Sequence, residues 1–388
     1  MKSWRLLRDS FPVFQQMHFM DTAHYNPLGK EVRDAITSFH QALQSGGQPE
    51  QWKSLLAHAR ESAARLIGAS STQIALTKNT GEGLNIAANA LPLGVGDSVV
   101  TSKFEHPINL MPWLRLRRRG VEVRVVDHPE GYAVPDIFRT AIDRSTRVIV
   151  VSAVQYYSGH RADLASLAGL AHEVRAHLVV DGIQAVGAAA INAQSLGVDA
   201  LACGGHKWIL ATHGAGFLYC SERFLDAAEP VYLGEEGLAE GTALEDFILS
   251  AGATRFEVGN ANYAGFAGLS AGAALLASYG LTAVEQRVLE LTGQLMERLD
   301  NAGVILLTPR EPAHRLGIVT FEIPDPQMFV TNCDKAGIRV ALRGAHHRRK
   351  DAVRVSLHAY NDETDIAALL DVLNIHLRAA AGIIQSRS

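Results

Sequence analysis

The sequence is poor in cysteine: only Cys203, Cys220 and Cys333 occur in 388 residues, in no metal-like spacing. That argues against a disulfide scaffold and a thiolate metal centre, and it fits a reducing compartment. No apolar run approaches the roughly 18 residues that suggest a membrane span. The first residues, MKSWRLLRDSFPVFQQ, scatter charge through the segment, so we expect no secretory signal and a cytoplasmic protein. Excess charge is missing too. Lys and Arg number 36 against 40 Asp and Glu, a formal net charge of −4, which gives no bulk attraction to nucleic acid or an anionic membrane. The one basic run, HHRRK (346–350), reads as a solvated loop or as a neighbour of an anionic ligand. Repeats and low-complexity linkers are absent as well.

What is present is a strand–helix alternation. DSVVTS (97–102), VEVRVVD (121–127), RVIVVSAV (147–154), HLVVDG (177–182), ALACGG (200–205) and GFLYC (216–220) read as strands, rich in Val and bounded by Gly or Asp. Between two of them, Leu164, Leu167, Leu170, Ala171 and Val174 fall at helical spacing. The pattern predicts an α/β domain with a mostly parallel sheet over 21–262, where ligands sit outside the carboxyl ends of the strands. A smaller α+β domain is expected from 263–388, joined by residues 1–20. There, Thr282 and Glu285 make a capping-box pattern, 301–303 a stop signal, and GIVTFEI, GIRVALR and AVRVSLH further strands.

Polar residues closing apolar strands carry the chemistry. Asp181 ends LVVD. Alone it also fits a turn or cap aspartate; as a functional group it is a carboxylate facing a ligand. Lys207 follows ALACGGH. A lysine in a desolvated pocket loses its proton more readily and becomes a nucleophile toward carbonyls, and pyridoxal phosphate is the main carbonyl cofactor of such lysines. That cofactor needs an acid for its ring nitrogen, which Asp181 can be, and a phosphate cradle. NTGEG (79–83), leading into an amphipathic helix, offers backbone N–H groups to an anion, although Thr80 also fits an ordinary helix start. His106, after the 97–102 strand, is ambiguous alone but stands fourth in the series.

Together TKNTGEGLN, EHPINLMPW, VVDGIQAVGA, GGHKWILATHGAGFLY, RFEVGNANYAGFAGL and VRVSLHAYN resemble the class V aminotransferase family of pyridoxal-phosphate enzymes, across nearly the whole chain. That family includes cysteine desulfurases, selenocysteine lyases and isopenicillin N epimerase-like proteins. The resemblance implies the PLP-dependent transferase fold. It makes Lys207 the Schiff-base lysine and proton carrier, Asp181 the partner of the ring nitrogen, Gln184 a donor to the phenolate oxygen, and His106 the residue on the ring face. Thr80, Gly81 and His206 would hold the phosphate, and Arg354 the substrate carboxylate. It also implies a homodimer with the active site at the subunit interface, in which the loop bearing Asn260 reaches the neighbour's phosphate. Arg343, His24 and Tyr25 are further candidates for substrate contact, and no metal site is expected.

Several positions depart from the family pattern. Gly204 stands where a phosphate-binding Ser is common, and Asn260 where Thr is. His24, Tyr25 and Asn26 replace small residues, to line the pocket or cap the next helix. The segment GAHHRRKD (344–351) lacks the cysteine that takes up sulfur in the desulfurases, while Cys203 and Cys333 read as packed residues. The expected activity is therefore action on a small amino acid or amine, with transamination first. β-Elimination with C–S cleavage and epimerisation are the alternatives, and a cofactor-lacking binding protein on the same fold is the reading outside enzymes.

Overall fold

Runs of Val, Ile and Ala bury both faces of a sheet, and here they build the centre of the molecule. The computed structural model describes residues 2–239, 241, 245–344 and 350–385; positions 346–349 of the basic run lie outside them. A short strand β1 (His18–Phe19) precedes the large sheet. That sheet comprises β2 (Ile74–Thr77), β3 (Ser98–Ser102), β4 (Glu122–Val126), β5 (Thr146–Ser152), β6 (His177–Asp181), β7 (Ala200–Gly204) and β8 (Gly216–Cys220). Their order is β2-β8-β7-β6-β5-β3-β4. β8 runs antiparallel to both neighbours and the other pairs are parallel. All six strands expected from the sequence form; β2, four residues long, was not among them.

The strand order sets the crevice. β3 leads outward to β4, whereas β5 returns to the other side of β3 and leads to β6. Connections diverge between β3 and β5, where an open α/β sheet leaves room at its carboxyl edge. The helix Leu164–Glu173 covers one face with Leu164, Leu167, Leu170 and Ala171 buried, as the helical spacing requires.

The second sheet has β9 (Ile305–Leu306), β10 (Ile318–Glu322), β12 (Ala341–Arg343) and β13 (Ala352–Ser356) in the antiparallel order β12-β13-β10-β9. GIRVALR divides: its first part is β11 (Ile338–Arg339), which pairs in parallel with β1 and ties the N-terminal segment to this unit. The small-residue helix Tyr263–Tyr279 packs on the helices Lys30–Gln44 and Pro49–Leu66. A Cβ on its Gly272 would lie 2.5 Å from the Ile209 carbonyl oxygen, so glycine sets that close approach. One expectation fails. The helix Leu281–Asn301 starts at Gly280 without a side-chain cap. Glu285 instead accepts from Arg161 Nη1 (2.5 Å) and the Ala190 N–H (2.7 Å), because a buried-side guanidinium offers more than an exposed first turn.

Trp208, 1% exposed, joins the two sheets. His358, just after β13, stacks on it at 5.6 Å. The His358 Nε2–H donates to the Trp208 carbonyl (3.0 Å) while Nδ1 accepts the Ala359 N–H (2.7 Å), which fixes the neutral tautomer. Gly317 admits the indole, since a Cβ there would lie 2.2 Å from Cη2.

Two outcomes follow. Gly187, at φ +98°, would place a Cβ 2.2 Å from the Trp208 carbonyl oxygen; Gly187→Ala should cost about 2 kcal/mol or more, read as a lower urea midpoint. Burial lowers the His358 pKa from 6.5 to about 4. The unfolded chain therefore binds a proton between those values that the native state refuses. Stability is fully present above pH 6.5 and is lost as pH falls toward 4, by up to about 3 kcal/mol from this group. Unfolding of His358→Gln across that window should show a shallower pH dependence.

Candidate active site

The carboxyl edge of the large sheet opens into a cavity of about 270 Å³ lined by Asn79, Thr80, His106, Asp181, Gln184 and Lys207, among others. They come from the ends of four strands: Asn79 and Thr80 follow β2, His106 follows β3, Asp181 and Gln184 lie at and after the end of β6, and Lys207 follows β7. Asp181 closes β6, is buried, and accepts the Ile183 N–H (3.0 Å). Burial pushes its carboxyl up, the negative charge of Glu105 adds to that, and Lys207 opposes it. Lys207 lies in the turn after β7. Burial lowers its pKa, and the nearby guanidinium of Arg354 lowers it further. A larger share of its amine is therefore uncharged near neutral pH than on a free lysine.

Gln184 is oriented by its neighbours. Its Oε1 accepts Trp208 Nε1–H (2.7 Å), and its Nε2 donates to the Ala23 carbonyl (3.0 Å). That leaves one amide hydrogen for a ligand in the cavity. On the opposite wall the helix Thr80–Ala90 begins, with Asn79 Oδ1 accepting the Glu82 N–H (2.9 Å). Asn79 is thus the cap, and Thr80 is free for another task. Its Oγ1 is buried with no hydrogen-bond partner among the described residues. A Cβ on Gly81 would strike Ile108 at 2.8 Å, so the backbone stays bare. His206 stacks on His213 at 4.6 Å and is held neutral, its pKa lowered to about 4 by burial and then by Lys207. His106 starts the helix Pro107–Arg115, where its Nδ1 accepts the Ile108 N–H (3.2 Å), and its ring meets Tyr156 edge-on at 5.0 Å.

Gly204 now has a physical reason. A Cβ there would sit 3.1 Å from His206 Nδ1 and 3.2 Å from Ile183 Cδ1. The imidazole of His206 crowds the place a serine side chain would take.

Arg354, on β13, is 1% exposed. Its Nη2 pairs with Asp21 (3.2 Å), its Nη1 donates to the Tyr156 carbonyl (2.9 Å), and its buried Nε has no partner among the described residues. Burial, and Arg343 beside it, lower its pKa to about 10, which leaves it charged. Arg343 is half-buried, close enough to lower Lys207 as well.

Other expected residues lie apart. His24 and Tyr25 do not line the cavity: His24 is exposed beside Asp21 (3.4 Å), and Tyr25 packs edge-on against Phe19. Asn26 caps no helix. Its N–H donates to the His206 carbonyl (2.9 Å) and its Nδ2 to that of Ala211 (2.8 Å), fastening the N-terminal segment to the Lys207 turn. Asn260 is exposed and outside this cavity. Sequence reasoning missed Asp21 and Glu105, both acids beside residues it did single out.

Three features fit pyridoxal phosphate: an orphaned hydroxyl at a helix start for a phosphate, a buried acid for a ring nitrogen, and a buried amine between them. The comparisons agree. The family description "Aminotransferase class-V" matches residues 27–369. A probable cysteine desulfurase of Methanothermobacter thermautotrophicus is 33% identical over 95% of this chain and 96% of its own. One of Pyrococcus abyssi is 29% identical, over 95% and 96%. The solved cysteine desulfurase of Thermococcus onnurineus superposes with a TM-score of 0.90 at 27% identity, over 98% of this chain and 99% of that one. This chain belongs to the class-V aminotransferase family of pyridoxal-phosphate enzymes.

Proposed function

We propose that the protein is a pyridoxal-phosphate-dependent C–S lyase that cleaves the Cβ–S bond of a cysteine-derived amino acid by β-elimination, the sulfur leaving on the substrate's own fragment. The likeness to desulfurases along the whole chain favours C–S chemistry over the transamination that the breadth of the family ranked first. One observation carries the rest. All three cysteines are buried, and burial raises each thiol's pKa, Cys333 to about 12. The segment 344–351 contains no cysteine. A protonated, enclosed thiol neither attacks sulfur nor hands it on.

The residues divide the work. Lys207 would hold the cofactor through Nζ, Asp181 would face its ring nitrogen, and Thr80, Gly81 and His206 would take the phosphate. When bound, the cofactor takes up the electron pair released at Cα. Arg354 binds the substrate carboxylate, with its unpartnered Nε and one Nη presenting the fork that suits two oxygens. That contact fixes Cα beside Lys207, whose uncharged amine removes the Cα proton. The electron pair then expels the thiolate from Cβ, and the three-carbon product hydrolyses to pyruvate and ammonia.

We further infer a homodimer. Its support is the exposed apolar residues Val231, Tyr232, Phe247, Ile248 and Val258 on the stretch of chain that leads to Asn260, which a second copy would cover. Asn260 would then serve the neighbour's phosphate.

Three measurements test this reading. Holoenzyme given cystine should release pyruvate without any keto-acid acceptor, whereas a strict requirement for an acceptor would return transamination to first place. A cysteine-free variant (Cys203→Ala, Cys220→Ala, Cys333→Ala) should keep turnover within about threefold, since the thiols only pack; a folded variant that is inactive would contradict the proposal. Arg354→Lys should raise KM roughly 10–100-fold, because an ammonium cannot replace the bidentate fork.

A further inference from the structure

Glu105 is fully buried at the crevice between β3 and β5, and the chemistry above does not use it. Its Oε1 accepts the Ser152 N–H (3.0 Å) and Gln155 Nε2 (2.8 Å). Its Oε2 accepts Asn109 Nδ2 (2.7 Å) and the Ser152 hydroxyl. Three N–H donors and the Ser152 hydroxyl meet its two oxygens, a set that favours the ionised form. Burial raises its pKa, and the donors from Ser152 and Asn109 resist that shift.

The network reaches the site on two sides. Asn109 lies in the helix that His106 starts. Gln155 precedes Tyr156, whose ring meets His106 and whose carbonyl takes Arg354 Nη1. Ser152 ends β5 directly opposite Asp181 on β6. We propose that Glu105 is a positioning residue: its ionised carboxylate ties the His106 and Tyr156 turns together across the crevice, and its charge stands behind Asp181 as a second negative group. The titratable groups facing it are Asp181, then Lys207 and the Cys203 thiol beyond Asp181, with His106 adjoining in sequence. The charge favours protonation at every basic atom of the site, including the Lys207 nitrogen that bears the cofactor.

The test is a pH titration of the visible absorbance of holoenzyme without substrate. The inference rests on the cofactor, not on the lyase reaction. Wild type lacking such a band defeats the cofactor reading itself; a normal band that variants leave unmoved defeats only the role of Glu105. Glu105→Gln should lower the titration midpoint by about one pH unit. Glu105→Asp, which keeps the charge and loses the geometry, should return most of that shift even while thermal stability stays reduced. Equal midpoints in Gln and wild type, or equal shifts in Gln and Asp, would overturn the proposal. If Glu105→Gln does not fold, Asn109→Leu removes one of the four donors and should move the midpoint the same way by less; an unmoved midpoint there overturns the proposal too.

Discussion

Burial of the Lys207 amine, with the Asp181 carboxylate on one side and the Arg354 guanidinium on the other, is the constraint to which the carboxyl edge of the large sheet is fitted. An ammonium deprived of water is costly unless it is paired or gives up its proton. Here both answers operate. Asp181 favours the charged form, while burial and Arg354 favour the neutral one, so the amine is poised between them. Asp21 partly offsets the guanidinium and holds Arg354 in place. Buried charges of both signs thus act on one another here, Asp181 and Lys207 at the cavity wall and Arg354 paired with Asp21.

Precision at this site comes largely from Trp208, which does not line the cavity, and from the residues that hold it. Trp208 follows Lys207 directly and is held on three sides: Gln184 accepts its indole N–H, His358 donates to its carbonyl, and Gly317 lets the ring lie flat against β10's approach. Two of those contacts come from the second sheet. The position of the lysine stem therefore depends on how the two units dock, and so does its relation to Arg354 on β13. Asn26 adds the N-terminal segment to the same turn.

Much of this was legible in the residues, for physical reasons that differ by position. Val-rich strands and the stripe Leu164–Leu167–Leu170 are periodic, so β3 to β8 and the helix beside them could be read directly. Lys207, Asp181, Thr80 and His106 each stand where an apolar strand ends and a turn begins, the place where a parallel sheet exposes function. Asp21 and Glu105 were not legible as working residues, because their partners lie far along the chain: Arg354 for Asp21, Ser152 and Gln155 for Glu105; Trp208, next to Lys207, could be read as packing the lysine stem, but its distant partners His358 and Gly317 could not. The capping-box pattern at Thr282 misled for the same reason, since Glu285 is drawn away by Arg161. Gly204 looked like a missing donor until the position of the His206 ring explained it.

The account stands on one atom, the Lys207 nitrogen. Reduction of the holoenzyme with borohydride, digestion and mass spectrometry would locate the covalently trapped cofactor. The predicted result is a single labelled peptide carrying the cofactor on Lys207. A label on another lysine, or none on a protein that binds the cofactor, would contradict it.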